Sequence, residues 1–260
     1  MEHSAVVTGA GRGIGRAVAE RLVRRGYAVV VTDVDEAAAR RTASDIGAAA
    51  GVGQDVRHED SHADVAALAG GHAPLRVWVN NAGVGDDGSL AELSSESVRR
   101  LVEVNLLGPT YGMRAALGAF GASGGDIVNI ASLSGLGPVP GLSVYAATKA
   151  AVVSLTTSVA AEVPRRVRVH AVCPDGVDTD MVAGMRGDGL AKALVHSGGG
   201  LLSVDSVADT AVGLIGSRRV VVSVPSWRGA LLRSTALAPS VAMKGLPVFR
   251  GMGQRVMRKR

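Results

Sequence analysis

Thr8-Gly-Ala-Gly-Arg-Gly-Ile-Gly15 lies between a strand-like run, residues 5–8, and a helical pattern in which the apolar residues Ile14, Val18 and Leu22 recur at helical spacing. A glycine-rich turn between a strand and a helix lets the backbone approach a diphosphate closely, and the first N–H groups of the helix can hold its charge. The glycines are spaced GxxxGxG, and the alternative interpretation is a tight turn that binds nothing. The stretch predicts the first strand-turn-helix unit of an α/β fold.

Strand and helix patterns alternate along the rest of the chain. Further strands are predicted at residues 27–32, in a short segment ending at Gln54, and at residues 75–80, 126–130, 166–173 and 220–224. Helices are predicted between them, including a long one at residues 94–120 with an interruption near Gly108-Pro109. Short right-handed crossovers turn such an order into a parallel sheet that is covered on both faces. We therefore predict a single doubly wound α/β domain of the Rossmann type, residues 1–224, with a basic C-terminal extension, residues 225–260.

Length, cysteine content and the N-terminal sequence favour a cytoplasmic protein. With 260 residues and one Cys, the chain can bury a large core and cannot form an internal disulfide. The first predicted strand begins so close to Met1 that no cleaved signal is expected. No uninterrupted apolar stretch is expected to be long enough to span a bilayer. A reducing, cytoplasmic setting follows as the expectation.

The positive charge of the chain is concentrated in its C-terminal part. Residues 218–260 carry ten Arg or Lys and no Asp or Glu, whereas the first 217 residues carry 18 basic and 23 acidic residues. A basic segment with interspersed apolar residues can lie on an anionic membrane surface, so we expect peripheral membrane contact as one role of the extension. The alternative is that it covers the mouth of an active site or an adjacent subunit. Nucleic-acid binding is disfavoured because no recognised reading module or stacking aromatic residues accompany the charge.

Tyr145 and Lys149 lie four residues apart in a predicted helix, and therefore on one face of it. The chain has three Tyr and four Lys, so the pairing is infrequent by chance. An ammonium near a phenol favours the phenolate, so we expect Lys149 to lower the pKa of Tyr145 from its ordinary value of ~10. Ser132 follows a predicted strand, and Asn105 lies in the long predicted helix. The alternatives are a loop-capping hydroxyl for Ser132, a backbone-bonding residue for Asn105 and an amphipathic helix position for Tyr145.

These positions, together with Asn80-Asn81-Ala82-Gly83 after the fourth strand, resemble the short-chain dehydrogenase/reductase family. The resemblance extends from the first predicted strand to the last. It implies an oxidoreductase that transfers a hydride between a nicotinamide cofactor and an alcohol or carbonyl compound. By resemblance, Tyr145 is the general acid/base and Lys149 also bonds the nicotinamide ribose. Ser132 orients the substrate oxygen, and Asn105 holds a water that links Lys149 to solvent.

The preferred nicotinamide cofactor depends on Asp33 and Arg12. Asp33 comes at the carboxyl end of the second strand, where a carboxylate accepts hydrogen bonds from the adenosine ribose and repels a 2′-phosphate. Its alternative role is to cap the next helix. Arg12 could meet a phosphate, but we predict NAD rather than NADP. The motifs and the resemblance together imply these cofactor-binding residues: Gly9, Arg12, Gly13, Ile14, Gly15, Asp33, Asp55, Val56, Asn81, Ala82, Gly83, Tyr145, Lys149, Pro174, Val177 and Thr179.

One loop departs from the family pattern. After the strand at residues 166–173 the family usually has Pro-Gly, whereas this chain has Pro174-Asp175, with Gly176 one residue later. This departure leaves the path of the loop undetermined. It does not change the reaction class that the resemblance implies. Cys173 is expected to be a buried strand residue. The six His show no metal-ligand spacing, so no metal site is predicted.

Residues 178–202 occupy the place of the family's substrate lid, and their glycines, including Gly187, would let this segment move. Apolar residues in the lid and in the loop opposite predict a largely apolar secondary alcohol or ketone, such as a steroid-, terpenoid- or lipid-like molecule. The alternative is that they only pack against each other. These residues are Met181, Val182, Met185, Leu190, Leu194, Val195, Leu201 and Leu202 in the lid and Leu136, Pro138, Val139 and Leu142 opposite.

An NAD-dependent alcohol dehydrogenase is therefore the leading hypothesis. An NADPH-dependent carbonyl reductase on the same scaffold is the first alternative. A non-catalytic nucleotide-sensing or membrane-surface protein is an alternative of another class. The resemblance also implies a homo-oligomer, a dimer or tetramer, although the extension could block one of the usual interfaces.

Overall fold

A computed structural model describes residues 1–185, 189–237 and 239–258 of the chain. Within these residues, seven parallel strands form one sheet. The strands are β1 (Ser4–Val7), β2 (Ala28–Asp33), β3 (Ala50–Gly53), β4 (Leu75–Asn80), β5 (Gly125–Ile130), β6 (Val167–Pro174) and β7 (Val221–Val224). Their order across the sheet is β3-β2-β1-β4-β5-β6-β7. The chain first adds β2 and β3 on one side of β1 and then adds β4 to β7 on the other side, so the order of addition reverses between β1 and β4. A crevice opens there at the carboxyl ends of the strands, the position where such sheets bind ligands.

Helices connect the strands as crossovers on both faces. They are α1 (Gly13–Arg24), α2 (Glu36–Ile46), α3 (Glu59–His72), α4 (Ser95–Val102), α5 (Gly108–Ala119), α6 (Ser143–Glu162), α7 (Asp180–Ala183), α8 (Leu190–His196), α9 (Val204–Gly213), α10 (Ser226–Leu237) and α11 (Pro239–Met257). A π-helical segment, Glu103–Leu107, joins α4 to α5, and a 3₁₀ turn, Leu133–Leu136, follows β5.

Alternate residues of the strands are buried on opposite faces of the sheet. In β1, Ala5 and Val7 belong to the core cluster on one face, and Val6 belongs to the cluster on the other. Residues of α1, α2 and α9 cover the first face, and residues of α3, α5 and α6 cover the second. Strands buried on both faces are typically apolar over long runs, as residues 28–31 of β2 are. The predicted doubly wound α/β fold is confirmed.

The predicted interruption of the long helix at Gly108-Pro109 is wrong. The helical path continues from α4 through the π-helical segment into α5, and Pro109 lies in the first turn of α5. Proline is tolerated in a first turn because it needs no hydrogen-bond donor there. The irregularity comes earlier, in the π-helical segment that contains Asn105.

By length and mean hydropathy, 1.2, α6 is the one helix in the described ranges that could cross a membrane. The expectation that no apolar stretch is long enough to span a bilayer therefore fails for α6 if only length and mean hydropathy are considered. The value reflects many Ala and Val residues, and the inner face of α6 carries the buried Lys149 and packs on β6. We therefore assign α6 to the folded domain.

The C-terminal extension forms α10 and α11, and both pack on the domain. α10 contacts β7 and the 3₁₀ turn, and α11 contacts α8 and α10. The segment predicted as a lid contains α7 and α8. Gly187 lies outside the described residues.

Candidate active site

A cleft of about 1030 Å³ lies at the carboxyl ends of the strands. The glycine turn, the loops that follow β2 to β6, the first turns of α6, the lid and the C-terminal extension form its wall. Of the predicted catalytic and cofactor-binding residues, Asn105 and Gly15 do not line this cleft, and all the others do. The topology therefore brings the predicted cofactor and catalytic residues to one place.

The glycine turn packs tightly against the end of β4. Gly9 and Gly13 have φ angles of +61° and +57°, in the left-handed region that favours glycine. A Cβ on Gly9 would lie 2.6 Å from the Cα of Ala82, so a side chain does not fit there. Gly15 lies behind the turn, where a Cβ would meet the Asn81 side-chain amide. Packing therefore excludes a side chain at Gly9 and Gly15, whereas at Gly13, where a Cβ would have no atom within 4 Å, the positive φ angle is what favours glycine.

Hydrogen bonds hold the turn in this position. The Nδ2 atom of Asn81 donates to the carbonyl oxygens of Thr8, at 2.9 Å, and Gly9, at 2.8 Å. The Thr8 hydroxyl accepts from the backbone N–H groups of Asn81 and Ala82. Arg12, the residue before α1, makes no side-chain cap, and no acidic residue lies in the first turn of α1. The first N–H groups of α1 are therefore available to an anion such as the cofactor diphosphate.

Asp33 is fixed at the rim of the cleft by the backbone. Its Oδ2 atom accepts from Gly11 N at 2.9 Å, and its Oδ1 atom accepts from Asp35 N at 3.1 Å. The alternative role of helix cap belongs to Asp35, whose side chain accepts from Ala38 N at the start of α2. The Asp33 carboxylate therefore stands where the sequence predicted the adenosine ribose.

Arg12 contacts the lid rather than the Asp33 corner. Its guanidinium lies 2.8 Å from the carboxylate of Asp180, the first residue of α7. Both side chains are at least three-quarters exposed, so the ion pair contributes little to stability. The pair joins the glycine turn to the lid across the cleft.

Asp55 and Val56, two of the predicted cofactor-binding residues, line the cleft. Arg57 Nε donates to both carboxylate oxygens of Asp55, which lowers the pKa of that carboxyl group. Asp55 therefore does not cap α3, whose N-cap residue is His58. The carbonyl of Val56 accepts from Nε2 of the buried His62 at 2.9 Å, which fixes the backbone at this point.

Tyr145, Lys149 and Ser132 converge in the cleft. Tyr145 lies in the first turn of α6, and Lys149 lies one turn later on the same face, with its Nζ atom 5.7 Å from the centre of the Tyr145 ring. Lys149 is only 4% exposed, and its Nζ atom donates to the carbonyl of Ile130 at 2.9 Å. The hydroxyl of Ser132 accepts from Ser134 N at 3.1 Å, and it lies close enough to the Tyr145 phenol to act on its pKa.

The pKa of Tyr145 moves in the direction opposite to the prediction. Burial raises it to about 12, and the Ser132 hydroxyl opposes this rise. Burial also lowers the pKa of Lys149 to about 8. The Lys149 ammonium donates to the Ile130 carbonyl and contributes no resolved lowering of the Tyr145 pKa. In the protein chain alone, desolvation of the phenolate is therefore the stronger effect.

Asn105 uses its side chain to hold the loop after β4. It is fully buried, its Oδ1 atom accepts from Val84 N, and its Nδ2 atom donates to Val84 O, both at 2.9 Å. A Cβ built on Gly83 would lie 3.3 Å from Asn105 Oδ1 and 3.6 Å from Lys149 Nζ, so these groups converge. The side-chain amide is occupied by the backbone, and the water-holding role stays a prediction.

Asp175, the departure from the family pattern, has a partner in the C-terminal extension. Its Oδ2 atom lies 2.6 Å from Nε of Arg228 in α10, and both side chains are 9% exposed. Burial raises the pKa of Asp175, and the Arg228 charge opposes this rise. A further nitrogen of Arg228 donates to the hydroxyl of Ser197, just after α8, at 3.1 Å.

The predicted apolar wall is present in part. The lid residues that line the cleft are Met181, Val182, Met185, Leu194 and Val195, and the residues opposite are Pro138, Val139 and Leu142. Leu190, Leu201 and Leu202 lie outside the cleft, and Leu136 packs in the core cluster around Cys173. Within the part of the chain that is described, no group of three or more His, Cys, Asp or Glu side chains is placed to hold a metal ion.

Five of the cleft residues that were not predicted individually from the sequence come from the C-terminal extension. They are Arg228, Leu231, Leu232, Thr235 and Phe249. The one available signal was Asp175, because a buried carboxylate in place of glycine requires a cation nearby. The sequence does not indicate which of the many Arg residues supplies it.

The sequence model of a family described as short chain dehydrogenase matches residues 3–189. The chain belongs to the short-chain dehydrogenase/reductase family. Members of this family are oxidoreductases, and one relative is the sorbitol dehydrogenase of Cereibacter sphaeroides. It is 40% identical to this chain in an alignment of 180 positions that covers 67% of this chain and 70% of that protein.

Solved structures of the family share the fold. A short-chain dehydrogenase/reductase from Burkholderia phymatum in complex with NAD superimposes with a TM-score of 0.83 at 29% identity, covering 93% of this chain and 95% of that chain. A variant of actinorhodin polyketide ketoreductase with NADPH superimposes with a TM-score of 0.80 at 31% identity, covering 88% and 97%. The two neighbours hold different nicotinamide cofactors, so family membership does not choose between them.

Proposed function

We propose that this protein is an NAD-dependent dehydrogenase that interconverts a secondary alcohol and its ketone. The observation that carries the proposal is the convergence of Ser132, Tyr145 and the buried Lys149 in the cleft that the glycine turn also lines. The glycine turn leads into the N-terminus of α1, which has no side-chain cap and can hold a diphosphate, and Tyr145 supplies a proton donor and acceptor in the same cleft.

Each catalytic residue has a separate task. The hydroxyl of Ser132 bonds the substrate oxygen and holds it against the Tyr145 hydroxyl, which takes the alcohol proton during oxidation and returns it during reduction. Bound NAD supplies the hydride acceptor. Since burial holds the pKa of Tyr145 at about 12, reduction starts from the protonated form already present. Oxidation needs additional positive charge near the phenol, for which Lys149 and the oxidised nicotinamide are the sources.

The substitution Tyr145→Phe tests this assignment. It should reduce kcat by about 10²–10⁴-fold, the usual contribution of a general acid/base, while the affinity for NAD stays unchanged. Tyr111→Phe is the matched control, because Tyr111 packs near His62 outside the cleft. Turnover retained in Tyr145→Phe would reject the role of Tyr145. NAD binding by the wild type without turnover of any alcohol would favour the non-catalytic, nucleotide-sensing alternative.

The preference for NAD over NADP rests on Asp33. Its carboxylate is held by the backbone at the rim of the cleft, where a 2′-phosphate would meet a negative charge. Arg12, the residue that would favour NADP, is engaged with Asp180. We expect the ratio of kcat/KM for NAD to that for NADP to fall at least tenfold in Asp33→Ala. Asp64→Ala, on the exposed side of α3, is the control, and a wild-type preference for NADP would favour the carbonyl reductase alternative.

The substrate class follows from the cleft wall. The predicted residues of the lid and of the loop opposite that line the cleft are apolar, and polar lid residues, among them Asp178, Thr179 and Asp180, line it beside them. An apolar secondary alcohol with one oxygen at the reacting end fits this distribution.

We assign the protein to the cytoplasm and propose that α11 contacts an anionic membrane from its outer side. Lys244, Val248, Met252 and Arg255 recur at helical spacing, and all four are exposed. The absence of Asp and Glu from residues 218–260 gives this surface an unopposed positive charge. Co-sedimentation with vesicles of phosphatidylglycerol and phosphatidylcholine should be lost when Lys244 and Arg255 are both changed to Glu, and pure phosphatidylcholine vesicles should bind neither form. Equal binding of both forms to anionic vesicles would contradict the proposal.

The outer face of α6 supports a homo-oligomer. Its exposed residues before Glu162 are small and uncharged: Ser143, Ala147, Ala150, Ser154, Thr157, Ser158 and Ala161. Small side chains let a second helix approach closely, so a second copy of the chain can pack on this face.

A further inference from the structure

The C-terminal helices are packed into the domain rather than appended to it. In α10, a Cβ on Gly229 would overlap the side chain of Ser223 in β7. In α11, the buried Gly253 approaches the backbone of Ala193 in α8 so closely that a Cβ would overlap its carbonyl group. Both contacts exclude side chains, so the two helices have defined positions against the sheet and the lid.

These helices supply one wall of the cleft. Leu231, Leu232 and Thr235 of α10 and Phe249 of α11 line the same cleft as Tyr145. Leu232 also packs against the core cluster that contains Leu133, next to Ser132. A substrate whose oxygen lies at Tyr145 and whose body extends away from the cofactor would therefore meet this wall.

A buried ion pair connects the wall to the rest of the site. The Asp175 carboxylate belongs to the loop after β6, where the family resemblance places nicotinamide contacts, and Arg228 belongs to α10. Arg228 also donates to Ser197, which follows the lid helix α8. One guanidinium group thus ties together the cofactor loop, the C-terminal helices and the lid. Loss of either charge would leave the other buried without a partner.

We propose that the C-terminal helix pair is the specificity wall of the substrate pocket, that it selects apolar alcohols with several rings, and that the Asp175–Arg228 ion pair positions it. The proposal rests on the proposed dehydrogenase function. Phe249 and Leu232 contact the far part of the substrate. Asp175 and Arg228 act through the position of α10 and are positioning residues.

The first test compares two alcohols of different size, cyclohexanol and the four-ring alcohol androsterone. In Phe249→Leu, the ratio of kcat/KM for androsterone to that for cyclohexanol should fall at least fivefold. Phe120→Leu is the matched control, since Phe120 is the only other phenylalanine of the chain and lies outside the cleft. A ratio within twofold of wild type in Phe249→Leu, or an equal fall in Phe120→Leu, would overturn the role of the wall.

Binding of androsterone to the protein without a nicotinamide cofactor separates this proposal from the proposed function, because neither the hydroxyl nor the ketone of androsterone can react under those conditions. Weaker androsterone binding by Phe249→Leu than by wild type supports the role of the wall. This holds even if the wild type oxidises neither alcohol, although that lack of oxidation would count against the dehydrogenase. Failure of the wild type to bind androsterone would overturn the wall while leaving oxidation of cyclohexanol as support for the dehydrogenase.

The second test is a double-mutant cycle on the ion pair. Arg228→Leu and Asp175→Gly should each reduce the androsterone-to-cyclohexanol ratio about tenfold, and the double variant should recover most of it because no unpaired buried charge remains. Thermal unfolding is measured in parallel. Two outcomes would reject the positioning role and leave the ion pair a structural one. In the first, the unfolding temperature falls but the ratio of kcat/KM values stays unchanged. In the second, the losses in this ratio in the two single variants simply add in the double variant.

Discussion

Lys149 places an ammonium group in the protein interior with the Ile130 carbonyl as its hydrogen-bond acceptor. Burial lowers its pKa from 10.5 to about 8, so the charged form needed for catalysis is disfavoured by folding. Since the folded pKa lies below the unfolded one, the unfolded chain binds more protons between about pH 8 and 10.5, and stability rises with pH across that window. Below pH 8 the buried ammonium of Lys149 lowers the free energy of unfolding by its full amount. At 1.36 kcal/mol per pKa unit, this amount is about 3 kcal/mol.

Lys149→Met should therefore be more stable than the wild type at pH 7, by up to about 3 kcal/mol, although it loses turnover. The difference should shrink as the pH rises from 8 to 10.5, because the wild-type lysine then loses its proton. Urea denaturation at pH 7, 8, 9 and 10 measures this. Lys244→Met, at an exposed position of α11, serves as the control and should show no such trend. A less stable Lys149→Met at pH 7 would mean that the bond to Ile130 outweighs desolvation.

At the scale of elements, α5 approaches β4 unusually closely because of Gly112. A Cβ on Gly112 would overlap Asn80 Oδ1 and lie 2.7 Å from Trp78 Nε1. These two atoms are hydrogen-bonded to each other at 2.7 Å, and the Asn80 amide also donates to Asn129 of β5 at 2.8 Å. The glycine thus leaves room for a buried polar network that joins two central strands below the active site.

Gly112→Ala should destabilise the protein by about 1–3 kcal/mol through overpacking, although alanine is the better helix former. Gly118→Ala on the same helix provides the comparison. A Cβ there has no atom within 4 Å, and stabilisation of up to about 1 kcal/mol is expected. Thermal denaturation of the two variants should show opposite signs. Stabilisation by both substitutions would show that α5 can move away from β4.

At the scale of the whole molecule, the outer face of α6 is the surface expected to join two copies. Ala150→Arg places a long charged side chain in the middle of this face, and we expect it to convert the oligomer to monomers in light scattering at micromolar concentration. Ala67→Arg, on the exposed side of α3, should keep the wild-type mass. An unchanged mass for Ala150→Arg would assign the oligomer to another surface.

Local patterns were sufficient for much of this molecule. The alternation of apolar strands with helices predicted the sheet, and the glycine spacing predicted the turn. The four-residue separation of Tyr145 and Lys149 placed both on one face of α6. These features follow from residues near one another in the chain, whose periodicity and backbone preferences act locally.

Other features depended on groups that meet only after folding. The pKa of Tyr145 is set by how far its phenol is withdrawn from water, and that depends on every segment around the cleft. Arg228 reaches Asp175 across 53 residues of intervening sequence, and no local pattern distinguishes it from the other Arg residues of the extension. Desolvation and long-range charge pairing are properties of the packed chain. The acidity of the catalytic phenol and the Arg228 partner of Asp175 therefore came from the folded arrangement, whereas the sequence offered cover of the active-site mouth by the extension as one of two roles.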